Sequence, residues 1–240
     1  MTVVPYKDDS LGKKQQVAKM FNSISGRYDF LNHFLSLGID ILWRKKAVQY
    51  LKQFRSDLIL DVATGTGDFA LEAVRLNPSK IIGIDISEGM LNVGRKKIQD
   101  SGLSDKITLQ VGDSENLPFP DNYFDAVIVA FGVRNFENLD VGLSEIFRVL
   151  KAGGHVVILE FSKPTKFPMK QLYKIYFKYI LPVMGRLISH DKTAYTYLPE
   201  SVEVFPDGDQ FLEHLKKLNF NSCEGRSLTF GISSLYTASK

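Results

Sequence analysis

The spacing of apolar positions changes near Asp57, and that change separates a helical opening from an alternating remainder. Over 13–25, Val17, Met20, Phe21 and Ile24 fall on one face at helical spacing. The aromatic-rich stretch from Tyr28 to Gln53 predicts two helical pieces broken near Gly38. From Asp57 onward, short apolar runs predict strands over 57–63, 80–86, 106–112, 124–131 and 154–161. Segments of helical period between them predict helices over 67–76, 88–101 and 139–150. The runs KIIGIDI, FDAVIVAF and HVVILEF are apolar throughout rather than alternating, as strands covered on both faces require. Strands that alternate with helices predict an α/β fold, a parallel sheet with right-handed crossovers. A long aromatic and basic segment at 169–188 precedes a predicted helix at 207–219. Two closing strands, near 222–229 and 231–238, are spaced as an antiparallel pair. The chain has no internal repeat and no low-complexity linker.

Composition narrows the function classes. The 240 residues suffice for one α/β domain with a substantial core, and 44% apolar and 24% charged residues are ordinary for a soluble globular protein. A net charge of +3 with no dense basic run argues against a nucleic-acid partner. The single cysteine, Cys223, excludes an intramolecular disulfide and fits a reducing compartment. The opening MTVVPYKDDSLGKKQQ is too polar for a signal peptide, and no apolar run reaches the ~18 residues of a membrane span. A cytoplasmic protein is expected, one able to sit peripherally at the inner face of the membrane. His33, His155, His190 and His214 show no ligand spacing, so no metal site is predicted.

The candidate chemistry begins at LILDVATGTGDFALEA (58–73). Gly65 and Gly67 lie just past the end of the first predicted strand, where glycine takes positive φ and lets a ligand approach the backbone. Asp85 ends the next strand and can accept both hydroxyls of a ribose. GTGDFA also satisfies the relaxed dinucleotide form G-x-G-x-x-A, so the turn by itself fits a nicotinamide cofactor, a sulfonium cofactor or a plain tight turn. Asp61 at the strand end, with Asp68 after it, disfavours pyrophosphate and suits a cationic amino-acid group. Asp113 ends the third strand and can accept from an adenine amino group, with Ser114 offering a backbone donor. A ligand with carboxylate, ammonium, ribose and adenine and no phosphate is S-adenosyl-L-methionine. Capping of loops by Asp85 and Asp113 is the competing reading.

The chain resembles the menaquinone and ubiquinone biosynthesis C-methyltransferases through RYDFLNHFLSLGIDILWRKK (27–46), DVATGTGD (61–68), LPFPDNYFDAV (117–127), FGVRNF (131–136), RVLKAGGHVVILEFSKP (148–164) and YTYLPESV (195–202). Two positions depart from the family pattern: Asp40 stands where a histidine is common, and Ala152 where Lys-Pro-Gly-Gly is usual. The resemblance implies a class I methyltransferase of Rossmann-like fold, seven strands with the last antiparallel. The whole chain, 1–240, would then be one domain, with 1–55 as a helical N-terminal cover and 165–205 as an insertion on the substrate side. The implied activity is methylation of a ring carbon of a prenylated demethylmenaquinol to menaquinol, with the benzoquinol of ubiquinone biosynthesis, or both, as the alternative. The cofactor residues it implies are Thr66, Asp85, Asp113 and Ser114, beside Asp61, Gly65 and Gly67 of the turn. A nicotinamide oxidoreductase and a non-catalytic cofactor- or lipid-binding subunit are the other classes; Asp113 speaks against the first and the intact FGVRN against the second.

A quinol ring carbon is a weak nucleophile, so such an enzyme must assist removal of a ring hydroxyl proton and hold the reacting atoms in line. Arg134 is expected to stabilise the phenolate, with water as proton acceptor, because arginine does not serve as an ordinary base. Asn135 is expected to orient that water; Tyr28 and Asp29 either close the pocket or serve packing, Tyr28 against the domain and Asp29 as a helix cap. A loop-fixing salt bridge is the bland reading of Arg134. Tyr197 is expected to line the pocket and Trp43 to cover it, with ordinary packing as the alternative for Trp43. In FPMKQLYKIYFKYILPVMGRLI (167–188), Lys170, Lys174 and Lys178 recur every four residues, with Arg186 further on. That basic stripe can be a core or lid element, a contact with anionic lipid, or a homodimer surface.

Overall fold

The computed structural model describes residues 3–7, 9–180 and 193–240. The part of the 167–188 stripe beyond residue 180, Arg186 included, and His190 lie outside the described residues, as does the Lys178 side chain.

Among the described residues there are seven strands, the central ones where the sequence is apolar in short runs: β1 Leu58–Val62, β2 Lys80–Asp85, β3 Ile107–Val111, β4 Phe124–Ala130, β5 Leu150–Phe161, β6 Asn221–Leu228 and β7 Ser233–Ser239. They make one sheet in the order β3-β2-β1-β4-β5-β7-β6. The pairs β1–β2, β1–β4, β2–β3 and β4–β5 are parallel, and β7 runs antiparallel to both β5 and β6. Successive strand residues face opposite sides, and both sides are covered. Leu60, Val62, Val127 and Val129 join Leu143, Ile146, Phe211 and Tyr236 in one core. Ile59, Ala126, Ile128 and Val157 join Leu51, Phe69, Leu91 and Ile98 in the other. This two-sided burial is why the central strands read as continuous apolar runs.

The helices are α1 Lys13–Ile24, α2 Tyr28–Leu35, α3 Ile39–Leu51, α4 Asp68–Ala73, α5 Glu88–Asp100, α6 Leu139–Val149, α7 Met169–Ile175, α8 Thr193–Val204 and α9 Asp209–Lys217. The expected break between α2 and α3 falls at Gly38, whose φ of 73° is a left-handed conformation that glycine adopts at little cost. The two ends of the N-terminal segment pack differently. Trp43, Ala47, Val48 and Leu51 of α3 belong to the core of the sheet. Val17, Met20 and Ile24 of α1 form a separate small cluster with Tyr197 of α8.

Two elements differ from the sequence reading. β5 starts at Leu150, four residues earlier than expected, because Leu150 pairs with Phe124 before an irregularity carries the register on to Ala126 and His155. The Lys-Ala-Gly-Gly stretch inside it has no apolar pattern to announce a strand. α8 was not expected as a helix: Pro199 lies inside it, and proline interrupts the helical signal. The aromatic and basic segment is helical from Met169 and continues as a π-helical turn over Tyr176–Ile180.

Candidate active site

Parallel sheets bind ligands at the carboxyl ends of their strands, and three cavities meet there. A cleft of about 620 Å³ runs past Gly65, Asp85 and Asp113–Glu115, and is closed by Lys14, Val17 and Phe21 of α1. A cavity of about 720 Å³ lies between Met20, Ile24, Asp40 and Arg44 on one side and Arg134, Phe161, Tyr197 and Leu198 on the other. A smaller one, about 350 Å³, sits under the glycine turn between Arg44, Asp61, Thr64, Thr66 and Asp68. Tyr28 and Phe131 border all three.

The backbone at the strand ends is shaped for this. Gly65 and Gly67 have φ of 56° and 81°. Ala63 after β1 and Phe131 after β4 also take left-handed conformations, at 53° and 57°. Such strain in residues with a Cβ concentrates at functional sites. A Cβ on Gly132 would stand 2.6 Å from that of Ala63, so the two strand ends press together below the cleft.

Each carboxylate expected at a strand end is found in or beside the cleft. Asp85 accepts from the backbone N–H of Gly65 and of Ser87, both at 2.8 Å. Burial pushes its pKa up against those bonds. Asp61 is buried below the turn, where it accepts from Thr64 Oγ1 at 2.6 Å and from the Ala70 N–H at 3.1 Å. Burial pushes its pKa to about 7. Asp113 accepts from Lys14 Nζ at 2.7 Å and from the Glu115 N–H at 2.9 Å, and Ser114 lines the cleft beside it. The Thr66 hydroxyl donates to Asp29 of α2, and Lys97 binds both Asp29 and Asp68. The cover is thereby latched onto the glycine turn. Asp85, Asp113, Glu115 and Glu137 face one cation, Lys14, among the described residues lining the cleft. That balance suits a cationic adenosyl ligand and leaves a pyrophosphate only Lys14, already paired with Asp113 and Glu115.

In the larger cavity, Arg134 stands in the turn after β4. Its Nη1 donates to Glu160 Oε1 at 2.7 Å and to the Phe131 carbonyl at 2.5 Å, while its Nε is buried with no partner. Glu160 also accepts from the backbone N–H of Phe161 and of Arg134, and burial raises its pKa while Arg134 lowers it. The salt bridge that was the bland reading of Arg134 therefore exists, and it aims the guanidinium along the cavity wall. Asn135 accepts from the Tyr197 hydroxyl at 3.1 Å. Burial raises the pKa of the Tyr28 hydroxyl, with a hydrogen bond to Asn32 opposing it. Of the two readings of Trp43, ordinary packing holds and not a cover over the pocket. Trp43 packs behind the wall, against Phe131 and Phe161, and donates from Nε1 to Thr229 Oγ1 at 2.8 Å.

Sequence reasoning passed over Glu160 and Arg44. The signal for Glu160 was a lone charge inside the apolar run HVVILEF; a charge in a strand covered on both faces needs a buried partner. Among the described residues, no group of three or more His, Cys, Asp or Glu side chains is arranged to hold a metal, and no helix is long and apolar enough to cross a membrane.

The profile of the ubiE/COQ5 methyltransferase family matches residues 10–240. The demethylmenaquinone methyltransferase of Bacteroides fragilis is 54% identical over 99% of this chain and 97% of its own length. That of Porphyromonas gingivalis is 43% identical over 99% and 98%. The ubiquinone/menaquinone biosynthesis C-methyltransferase UbiE of Geobacter sulfurreducens is 45% identical over 95% and 90%. Among solved structures, a SAM-dependent methyltransferase of Thermotoga maritima shares the fold with a TM-score of 0.64 at 19% identity, covering 92% of this chain and 99% of that one. With the profile running to the last residue and relatives this similar from end to end, the protein belongs to the ubiE/COQ5 methyltransferase family.

Proposed function

We propose that the protein moves a methyl group from S-adenosylmethionine to a ring carbon of a prenylated demethylmenaquinol, giving menaquinol and S-adenosylhomocysteine. The observation that carries this reading is the junction of an acid-lined cleft with a larger cavity walled by Arg134, sharing Tyr28 and Phe131. The names of the Bacteroides and Porphyromonas relatives favour the naphthoquinol ring as acceptor.

In this reading Asp85 accepts the ribose hydroxyls, Asp113 and Ser114 take the adenine, and Gly65 and Gly67 let the ligand reach the backbone. Asp61 draws the amino group, and Thr66 holds the turn to the cover through Asp29. Bound there, S-adenosylmethionine supplies an electrophilic methyl on a sulfonium. The acceptor's hydroxyl proton passes to a water oriented by Asn135, which the Tyr197 hydroxyl holds in turn. Arg134 stabilises the phenolate. The ring carbon next to the phenolate would form the new carbon–carbon bond as the carbon–sulfur bond breaks; the ring proton would then leave to water and one proton would return to the phenolate oxygen, so that menaquinol forms and one proton is released overall. Tyr28, between the two cavities, fixes the line of approach.

A prenylated acceptor resides in a bilayer, and the cover has an apolar edge suited to one. Phe30, Phe34, Leu37 and Leu42 are exposed, Leu37 at 83%, with Lys45 and Lys46 exposed beside them. Leu172 and Ile175 repeat the pattern on α7 with Lys170 and Lys174. Binding to anionic but not neutral vesicles is expected of this face; a concentration-dependent dimer with no vesicle binding would assign it to a second copy.

The test is methyl transfer from labelled S-adenosylmethionine to two reduced short-tail acceptors, a demethylmenaquinol and a demethylated benzoquinol. Label in the naphthoquinol alone is expected. Label in both would widen the acceptor range, and label in neither would overturn the reading.

A further inference from the structure

We propose that Arg44 of α3 is the residue that binds the carboxylate of the cofactor's methionyl tail. The inference rests on the reading of the cleft as an S-adenosylmethionine site. That tail brings one ammonium and one carboxylate. The small cavity under the glycine turn holds Asp61 and Asp68 for the first. For the second it holds Arg44, the one cation among the described residues that line it.

The state of the guanidinium supports this use. The Arg44 side chain is 8% exposed. Its Nη1 is bound by Asp40 at 2.5 Å, and its Nη2 stands 3.8 Å from Asp68. Its Nε is buried and has no partner. A buried donor without an acceptor is unfavourable, and a carboxylate entering the cavity would satisfy it. The planar fork of arginine suits a carboxylate better than a point charge does.

The same geometry gives Asp40 a task. Asp40 accepts from Ser36 at 2.6 Å, from Arg44, and pairs with His33 Nδ1 at 2.9 Å. Both oxygens are thus occupied, and those partners hold its pKa below the usual carboxylate range although burial opposes them. Asp40 is then a positioning residue that fixes the Arg44 fork, rather than a group that exchanges protons with the acceptor. Arg44 also borders the larger cavity, so a bound tail would order the wall against which the acceptor packs.

The experiment compares two ligands that differ only in the carboxylate, S-adenosylmethionine and its decarboxylated form, by isothermal titration calorimetry without any acceptor. For the wild-type protein, loss of the carboxylate is expected to weaken binding about 10- to 100-fold, as loss of a charge-assisted bond does. In Arg44→Gln the two ligands should bind within about 3-fold of each other, and Arg44→Lys should fall between. A ratio in Arg44→Gln as large as in the wild type would overturn the assignment, because the carboxylate would then be bound elsewhere. Arg44→Lys carries the same test should Arg44→Gln not fold. No binding of S-adenosylmethionine to the wild-type protein would instead defeat the cofactor reading itself, and this proposal with it.

Discussion

Arg134 and Glu160 form an ion pair across the carboxyl ends of β4 and β5, 2.7 Å from Nη1 to Oε1, with side-chain exposures of 7% and 0%. The desolvation of two buried charges nearly cancels their attraction, so the pair adds little net stability while the loss of either partner is severe. Glu160→Gln should destabilise the fold by about 3–5 kcal/mol in urea unfolding. The apolar pair Arg134→Met with Glu160→Leu should recover most of that stability and none of the activity. A single variant within about 1 kcal/mol of wild type would mean that Arg134 finds another counter-charge.

Arg134→Ala separates binding from chemistry. The guanidinium lines the larger cavity and not the acid-lined cleft. Turnover should fall about 100- to 1,000-fold, as on removal of a charge-stabilising donor. The dissociation constant for S-adenosylmethionine should stay within about 2-fold. Steady-state kinetics and calorimetry on the same preparation check both halves.

Asp61 predicts a dependence of stability on pH. Its pKa rises from 3.8 to about 7 on folding, because burial disfavours the charge. The folded protein therefore keeps a proton that the unfolded chain releases. The stabilisation linked to that proton is complete below the unfolded pKa and is lost as pH rises through the folded value. Asp61→Asn keeps an acceptor for Thr64 and Ala70 without the charge. Relative to it, the wild type should lose unfolding free energy between pH 4 and about pH 7 and change little above. Parallel urea titrations test this, and equal slopes for the two proteins would remove Asp61 as the source.

Gly94 lets α5 lie against the glycine turn. A Cβ there would stand 2.6 Å from Leu109 Cδ1 and 3.0 Å from the Thr66 carbonyl oxygen. Gly94→Ala should cost about 1–3 kcal/mol as overpacking, and should weaken S-adenosylmethionine binding by pushing Thr66 out of place. Melting and calorimetry would read the two effects, and a variant that binds normally would uncouple α5 from the turn.

The parts of this protein legible in its sequence are those decided locally. Strands β1, β2 and β4 announce themselves because both faces are buried and nearly every position is apolar. The glycine turn is legible because Gly65 and Gly67 must take positive φ next to a strand end, and the acidic strand ends Asp85 and Asp113 follow in register. The unread parts depend on partners far away in sequence. The early start of β5 comes from the pairing of Leu150 with Phe124. Trp43 faces Phe131, Phe161 and Thr229, and nothing near it in the chain says so. Glu160 pairs with Arg134, 26 residues away, and Arg44 borders a cavity closed by the distant glycine turn, so no local pattern gives either role.

The larger cavity is walled mainly by α1–α3 and α8, while the acidic strand ends belong to the sheet. In the proposed reading, the residues that would meet the acceptor come mainly from the helices and those that would meet ribose and adenine mainly from the strand ends, while Phe21, Tyr28 and Arg44 border both. Substitutions at Met20, Ile24, Asn32 or Leu198 can reshape what ring is admitted without disturbing the nucleotide half. Descendants of one ancestral enzyme can diverge in the ring they methylate while their sheets stay nearly interchangeable.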